Sequence, residues 1–218
     1  MKIKWLGHAA FAITAEDGTS IVTDPYRPNA FDGAIGYAPI TESFDGATVS
    51  HKHADHDGVS TLTGSPRVVD RVGSDRVKSV SIQGLPSYHD EARGAKRGEN
   101  IIFCYDVDDV RVCHMGDLGH LPDEVTFKAL SDVDVLLIPV GGTFTIDADQ
   151  AWQIVKRIAP KVVIPMHFKT PKVGFALDGV ETFTAGRENV SRPNSPEIEL
   201  KKNNLPTDTA IVVLDHAK

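Results

Sequence analysis

The part of the sequence most suited to chemistry is a short run of histidines and aspartates, Ser50-His51-Lys52-His53-Ala54-Asp55-His56-Asp57. It follows an apolar segment of strand length and ends in turn-forming residues, which predicts a loop at a strand end. Residues two apart in an extended chain project to the same side, so His51 and His53 can face one metal ion. The following turn brings Asp55 and His56 toward a second ion. Imidazole and carboxylate ligands together favour Zn, Mn or Fe over Ca or Mg.

Three further candidate ligands follow strand-like segments elsewhere in the chain. His89 lies in a loop between two apolar segments, Asp117 follows the segment that ends at Cys113, and His167 follows the segment 162–166. A lone histidine after a strand is more often an ordinary polar residue. Beside the first motif, however, ligands from several strand ends can converge at one sheet edge, with open positions for water and substrate.

The elements that must position these residues are mostly short β-strands. Runs of β-branched and aromatic residues, bounded by Gly, Asp or Pro, predict strands at 3–6, 11–14, 20–23, 47–50, 67–69, 77–82, 100–105, 110–113, 135–140, 161–166 and 210–214. Helical periodicity predicts a helix over 147–159, with Asp147 and Gln150 as a capping box. A second helix is predicted from Pro122 in its first turn to a strand at Val133. The stretch 178–204 is predicted to be surface loop with one edge element.

Composition limits the classes of function. The 218 residues, 41% hydrophobic and 24% charged, predict one globular domain over 1–218. A formal charge of -7 argues against a nucleic-acid partner. Neither an export signal nor an apolar run of membrane-spanning length is found, which predicts a cytoplasmic protein without a membrane partner. Cys104 and Cys113 are predicted to be buried, reduced thiols in neighbouring strands.

The order of the candidate ligands resembles the metal-binding signature of the metallo-β-lactamase superfamily. Further segments are similar to a branch of small metal-dependent hydrolases related to the ascorbate-6-phosphate lactonases, and the likeness runs over about residues 1–170. They are Trp5-Leu6-Gly7-His8-Ala9-Ala10-Phe11, Thr23-Asp24-Pro25-Tyr26, His114-Met115-Gly116-Asp117-Leu118-Gly119-His120, Val140-Gly141-Gly142-Thr143 and Pro165-Met166-His167.

The resemblance implies an α/β fold, a four-layer αββα sandwich with two mixed β-sheets and helices outside. It also implies two divalent metal ions, Zn with Mn or Fe as alternatives, and a homo-oligomer. One ion would be held by His51, His53 and His89, the other by Asp55, His56 and His167, with Asp117 bridging. The insertions of the nucleic-acid-processing branch are absent, and position 53 lacks the acidic residue of the flavo-diiron type. Both of those interpretations therefore rank lower.

The leading functional hypothesis is hydrolysis of a small, anionic ester, lactone or phosphodiester by a metal-bridging hydroxide. Coordination lowers the pKa of water from 15.7 to about 7, and Asp55 is placed as the catalytic proton handler. Two alternatives stay open. One is an iron-dependent oxygen or sulfur redox enzyme, since fold alone does not decide chemistry. The other is a non-catalytic metal-binding module.

Six residues are secondary candidates for the pocket or for supporting the ligands. His8 either lines the pocket or is a buried histidine with a backbone partner. Asp24 is predicted to anchor a loop or to hydrogen-bond a ligand histidine and fix its tautomer. His120 flanks Asp117 and is a structural or supporting candidate. A cation near the ligands can seat an anionic substrate, and the residues near them in sequence are Arg97, Thr145 and Lys169.

Overall fold

The computed structural model describes residues 1–218 and contains two mixed β-sheets. In spatial order, the six-stranded sheet consists of β13 (Glu197–Glu199), β1 (Lys2–Gly7), β2 (Ala10–Thr14), β3 (Ser20–Thr23), β4 (Gly46–Thr48) and β5 (Arg67–Val69). The eight-stranded sheet consists of β12 (Val190–Ser191), β14 (Ala210–Val212), β11 (Val162–Met166), β10 (Val135–Pro139), β9 (Val110–His114), β8 (Glu99–Val107), β7 (Val80–Tyr88) and β6 (Gly73–Val77).

Helices are few and short. They are α1 (Ala30–Gly33), α2 (Glu124–Ala129), α3 (Ala148–Ile158) and α4 (Val180–Thr184), with 3₁₀ turns at Val59–Thr61 and Lys202–Asn204. The predicted capping box of α3 is confirmed, because Asp147 Oδ1 accepts from Gln150 N at 2.8 Å and Gln150 Oε1 accepts from Asp147 N at 3.1 Å. None of the helices combines the length and the apolarity needed to cross a lipid bilayer.

The main apolar core lies between the two sheets. On β1 the side chains of Ile3 and Trp5 are buried and those of Lys2 and Lys4 are not, which is the alternation of a strand with one covered face. Every residue of β10 and β11 is buried, as expected for parallel strands covered on both faces. The expected sandwich of two mixed sheets is confirmed.

Three sequence-based details are wrong. The predicted strand 77–82 is a tight hairpin, because the chain reverses between β6 and β7 with Lys78 in the left-handed region (φ 49°). Helix α2 begins at Glu124 rather than at Pro122, since the side chain of Asp123 caps it by accepting from Thr126 N at 2.8 Å. The stretch 178–204 holds α4, β12 and β13, and β13 pairs with β1.

Strand direction places the candidate ligands. In the eight-stranded sheet β7, β9 and β11 run the same way, because β7 and β9 are both antiparallel to β8 and β10 is parallel to both β9 and β11. In the six-stranded sheet β3 and β4 are parallel. The residues that follow these strands are therefore gathered at the edge shared by the two sheets.

Candidate metal centre

The carboxylate of Asp117 lies at the centre of a cluster of imidazoles. Its Oδ2 atom is 3.2 Å from His56 Nε2, 3.3 Å from His167 Nε2, 3.4 Å from His89 Nε2 and 3.9 Å from His51 Nε2. All five side chains are buried. Four imidazoles from three segments far apart in sequence thus converge on one carboxylate oxygen.

The side chains around Asp117 form three groups, and within each group the ligand atoms lie within 4.8 Å of one another. The first group is His51, His53 and His89, the second is His8, Asp55, His56 and His167, and the third, Asp24 with His51 and His56, overlaps both. The first two groups match the division implied by the resemblance, with His8 added to the second. The structure therefore brings all seven predicted ligands together around one point.

The polar atoms of this cluster suit a metal ion. Nine buried polar side-chain atoms of the protein lack a hydrogen-bond partner, and only Arg111 Nε and Arg187 Nε lie outside the cluster. Buried polar atoms are normally hydrogen-bonded, so their concentration here is exceptional. Burial lowers the pKa of His51 to about 3, which keeps this imidazole neutral. Burial opposes ionisation of Asp117, but His167 and His56 hold its pKa well below the usual range. Burial opposes the charged form of His56 as well, but Asp117 and Asp55 raise its pKa well above the ordinary value, so a metal ion must displace its proton.

His8 supports Asp55 from the turn between β1 and β2. Its Nε2 atom is 3.1 Å from Asp55 Oδ2, and its ring centroid is 4.2 Å from that of His167. Burial lowers the pKa of His8 to about 4, so the neutral ring donates its Nε2–H to the carboxylate. The sequence left open whether His8 lines the pocket or is buried with a backbone partner. The structure buries it, but its partner is the carboxylate of Asp55.

Asp24 connects the two groups through hydrogen bonds. Its Oδ2 accepts from His56 Nδ1 at 2.9 Å and from Ser50 Oγ at 2.5 Å, and its Oδ1 accepts from Ser50 N at 2.8 Å. Ser50 Oγ in turn lies 3.0 Å from His51 Nδ1. Because their Nδ1 atoms are engaged, both histidines direct Nε2 toward Asp117.

Asn100 fixes the loop that carries Asp117, and the sequence analysis missed it. Its Oδ1 accepts from Asp117 N at 2.9 Å, and its Nδ2 donates to Met115 O at 3.0 Å. His114 holds the same loop by donating from Nε2 to Ala9 O at 2.8 Å. Asn100 stands within a strand, where no local signal distinguishes it from any polar strand residue.

At two glycines the chain passes very close to the backbone of a proposed metal-ligand residue. A Cβ atom on Gly119 would lie 2.4 Å from the carbonyl carbon of His89, and one on Gly141 would lie 2.2 Å from the carbonyl oxygen of His167. Contacts this short do not occur between real atoms, so any side chain would displace the ligand residues. Glycine at both positions is a packing requirement of the site.

A cavity of about 260 Å³ opens above the cluster. Its lining consists of His53, Asp55, His89 and Asp117 from the cluster together with Phe31, Arg97, Phe144 and Phe175. Ligand pockets usually measure about 300–1,000 Å³, so this one suits a small molecule.

Of the basic and polar candidates, only Arg97 reaches this cavity. His120 accepts from Tyr88 N at 3.2 Å, and Thr145 Oγ1 donates to Ile146 O at 3.1 Å. The ammonium group of Lys169 donates to the carbonyls of Val173 and Phe175. These three side chains use their polar atoms on nearby backbone, and none of them lines the cavity.

The sequence matches the β-lactamase superfamily domain over residues 2–167. The chain belongs to the metallo-β-lactamase superfamily. It is 31% identical over 193 residues to the UPF0173 metal-dependent hydrolase of Methanoculleus marisnigri, covering 78% of this chain and 82% of that one. The corresponding protein of Hyperthermus butylicus is 29% identical over 197 residues, covering 77% and 83%. A crystal structure from Thermotoga maritima, described as a candidate Zn-dependent hydrolase of the metallo-β-lactamase superfamily, is 36% identical with a TM-score of 0.79, covering 98% and 97%.

Within the metallo-β-lactamase superfamily, these similarities place the chain among the metal-dependent hydrolases. The family and the enzyme class predicted from the sequence are confirmed. A cluster of histidines and aspartates suited to metal lies where strand ends from both sheets meet.

Proposed function

We propose that this hydrolase holds two divalent metal ions and cleaves a small, anionic ester, lactone or phosphodiester. Zn is the favoured metal, with Mn or Fe as alternatives, because the donors are imidazoles and carboxylates. The observation that carries the proposal is the position of Asp117 Oδ2, within 3.2 to 3.9 Å of four imidazole nitrogens. In this assignment His51, His53 and His89 would hold one ion, Asp55, His56 and His167 would hold the other, and Asp117 would serve both.

When bound, the metal ions supply a water of lowered pKa and positive charge toward the substrate oxygen. The chain's own residues orient the reaction and handle its proton. Asp55 lines the cavity and has one oxygen, Oδ2, held by His8, while Oδ1 has no hydrogen-bond partner. Burial opposes ionisation, but His56 and His8 hold the pKa of Asp55 below its ordinary value. We therefore assign Asp55 Oδ1 to receive a proton from water and return it to the leaving group.

The preference for an anionic substrate comes from the cavity lining. Arg97 is the only basic residue besides histidine that lines it. Its bond to the Asp90 carboxylate uses the backbone N–H, which leaves the guanidinium without a carboxylate partner. An unpaired guanidinium beside a metal cluster favours a carboxylate or phosphate group. Because Arg97 is exposed, its ion pair with an anionic substrate contributes little to binding unless the substrate shields that pair from water.

Metal analysis of three variants tests the ligand assignment. His53→Ala and Asp117→Asn each remove one proposed donor, and both are expected to lower bound metal well below the wild-type level. His120→Ala is the matched control, because His120 flanks the same loop but bonds to the backbone of Tyr88. Full metal content in both donor variants would refute the assignment.

A substrate panel then tests the reaction class. Phosphodiesters, phosphorylated esters and lactones are assayed with Zn, Mn and Fe, and turnover is expected among these compounds. Turnover restricted to amides or thioesters counts against the proposed substrate class. A visible absorption band with oxygen consumption in the iron form indicates the redox alternative, and silence across the panel indicates a metal-binding module. The cytoplasmic location, the homo-oligomer and the absence of nucleic-acid and membrane partners stay predictions of the sequence.

A further inference from the structure

Three phenylalanines from separate loops line the cavity above the metal cluster. Phe31 and Phe144 are 50% and 40% exposed, the largest exposures among the phenylalanines, and both face this cavity. The Phe175 ring lies between them, with centroids 5.5 Å from Phe31 and 5.6 Å from Phe144 in edge-on geometry. Phe175 is also 6.5 Å from the His8 ring. The aromatic wall therefore continues directly into the metal cluster.

The backbone at the two exposed rings is strained. Phe31 has φ 53° and ψ 55°, and Phe144 has φ 74°. Bulky side chains rarely adopt this left-handed region. Such conformations persist where surrounding structure enforces them, and they cluster at ligand sites. Two exposed rings held in strained conformations at one cavity point to a ligand that contacts both.

The loops carrying the rings are fastened to one another. Gly174 N donates to Ala34 O at 2.8 Å, and Thr143 Oγ1 donates to Ala176 O at 2.6 Å. Within the Phe175 loop, Lys169 Nζ donates to Phe175 O at 2.9 Å. Ligand binding to a pre-arranged surface loses less conformational entropy than binding to a mobile one. The wall is therefore formed before a ligand arrives.

Arg97 completes the wall at its polar end. Its guanidinium carbon lies 5.5 Å from the centroid of the Phe144 ring. Its loop is anchored by the neighbour of the ligand His89, since the Asp90 carboxylate accepts backbone N–H groups from Arg97 at 2.7 Å and from three other residues of that loop. A charge held over an aromatic face, with no protein carboxylate as partner, is available to an anion.

We propose that Phe31, Phe144 and Phe175 form an aromatic clamp for a flat apolar group next to the scissile bond, with Arg97 pairing an anionic group of the same molecule. The substrate class is then an aryl-bearing or similarly cyclic anionic ester, and this inference rests on the proposed hydrolase site. A cavity of about 260 Å³ admits one ring and a small anionic group.

Affinities for phenylphosphonate and methylphosphonate test the clamp, because the two probes share the anion and differ in the ring. Binding is measured by calorimetry on metal-loaded protein and by NMR titration on metal-free protein. The ring is expected to raise affinity about tenfold in both forms, since it can contact two phenylalanines. Phe31→Ala and Phe144→Ala should reduce this ratio. Arg97→Gln should weaken both probes equally and leave the ratio unchanged.

Val125→Ala is the matched control, since Val125 is 76% exposed and does not line this cavity. It should leave both affinities unchanged. Equal affinity for the two phosphonates in the wild type, or an unchanged ratio in both phenylalanine variants, overturns the clamp and leaves the metal assignment standing. Failure to take up metal overturns the proposed function. In that case the ratio of the affinities for phenylphosphonate and methylphosphonate, measured on metal-free protein, still decides for or against the clamp.

Discussion

Asp24→Asn should preserve the fold and weaken metal binding, because it changes which ring nitrogen of the ligand His56 carries the hydrogen. The native carboxylate is fully buried and only accepts hydrogen bonds, from Ser50 N, Ser50 Oγ and His56 Nδ1. Asparagine is nearly isosteric, and its oxygen can continue to accept from Ser50 N. Its NH₂ group then faces His56 Nδ1, which must become an acceptor. In the neutral ring that binds metal, the hydrogen then moves to Nε2, the nitrogen that lies 3.2 Å from Asp117 Oδ2.

The size of the effect follows from these contacts. Hydrogen bonds to a charged group contribute about 1.5–3 kcal/mol and neutral ones about 0.5–1.5 kcal/mol. Exchanging the charged acceptor for an amide should therefore lower the unfolding free energy of the metal-free protein by about 1–3 kcal/mol. Loss of a partner that orients a ligand typically lowers metal affinity by about 10–100-fold, which corresponds to about 1.4–2.8 kcal/mol.

Chelator competition gives the metal affinity and urea unfolding of the metal-free protein gives its stability. Asp134→Asn is the matched control. Asp134 is a buried carboxylate outside the metal cluster, accepts from Arg111 N at 2.9 Å and pairs with Lys202. It should lose stability without any change in metal affinity. Native metal affinity in Asp24→Asn, with equal destabilisation in both variants, would refute the proposed control of the His56 tautomer.

Three further outcomes are expected. Gly141→Ala places a Cβ atom 2.2 Å from His167 O, so chelator competition should show weakened metal binding, and unchanged affinity would contradict the close-packing argument. Asp147→Ala removes the capping box of α3, so urea unfolding should show a loss of about 1 kcal/mol; no loss would mean that the exposed cap contributes nothing. Chelation of metal present at about 100 times its Kd should remove about 2.7 kcal/mol of stabilisation. For a chain of this size that lowers the melting temperature by about 5–10 °C, and an unchanged melting temperature would argue against tight binding.

Sequence reasoning was strongest where local spacing and strand ends determine position. The run from His51 to His56 and the placement of His89, Asp117 and His167 after strands were sufficient to select side chains that the fold brings together. Each ligand follows a strand with a clear apolar pattern, and the parallel arrangement of those strands leaves one shared edge.

Sequence reasoning failed where the role of a residue depends on which distant segment contacts it in the folded protein. Asn100 is an ordinary polar strand residue until the Asp117 loop docks on it. Lys169 was a candidate for binding anions because of its charge, yet its ammonium group bonds to carbonyls of its own loop. The strand pair β1 and β13 joins segments almost two hundred residues apart, as the register of Lys2 with Glu199 shows. No local pattern encodes such a contact.

The metal cluster combines two unfavourable features, left-handed backbone conformations and buried polar atoms without partners. Three of its residues adopt left-handed backbone conformations, with φ 52° at His8, 37° at Asp24 and 52° at His167. Each such residue costs about 1–3 kcal/mol, and polar atoms without partners are concentrated around them. The core between the sheets and the hydrogen bonds from Asp24 and Asn100 hold these residues in place. A metal ion that satisfies the imidazole and carboxylate atoms would relieve part of this cost, so metal binding and folding stability are coupled through the same side chains.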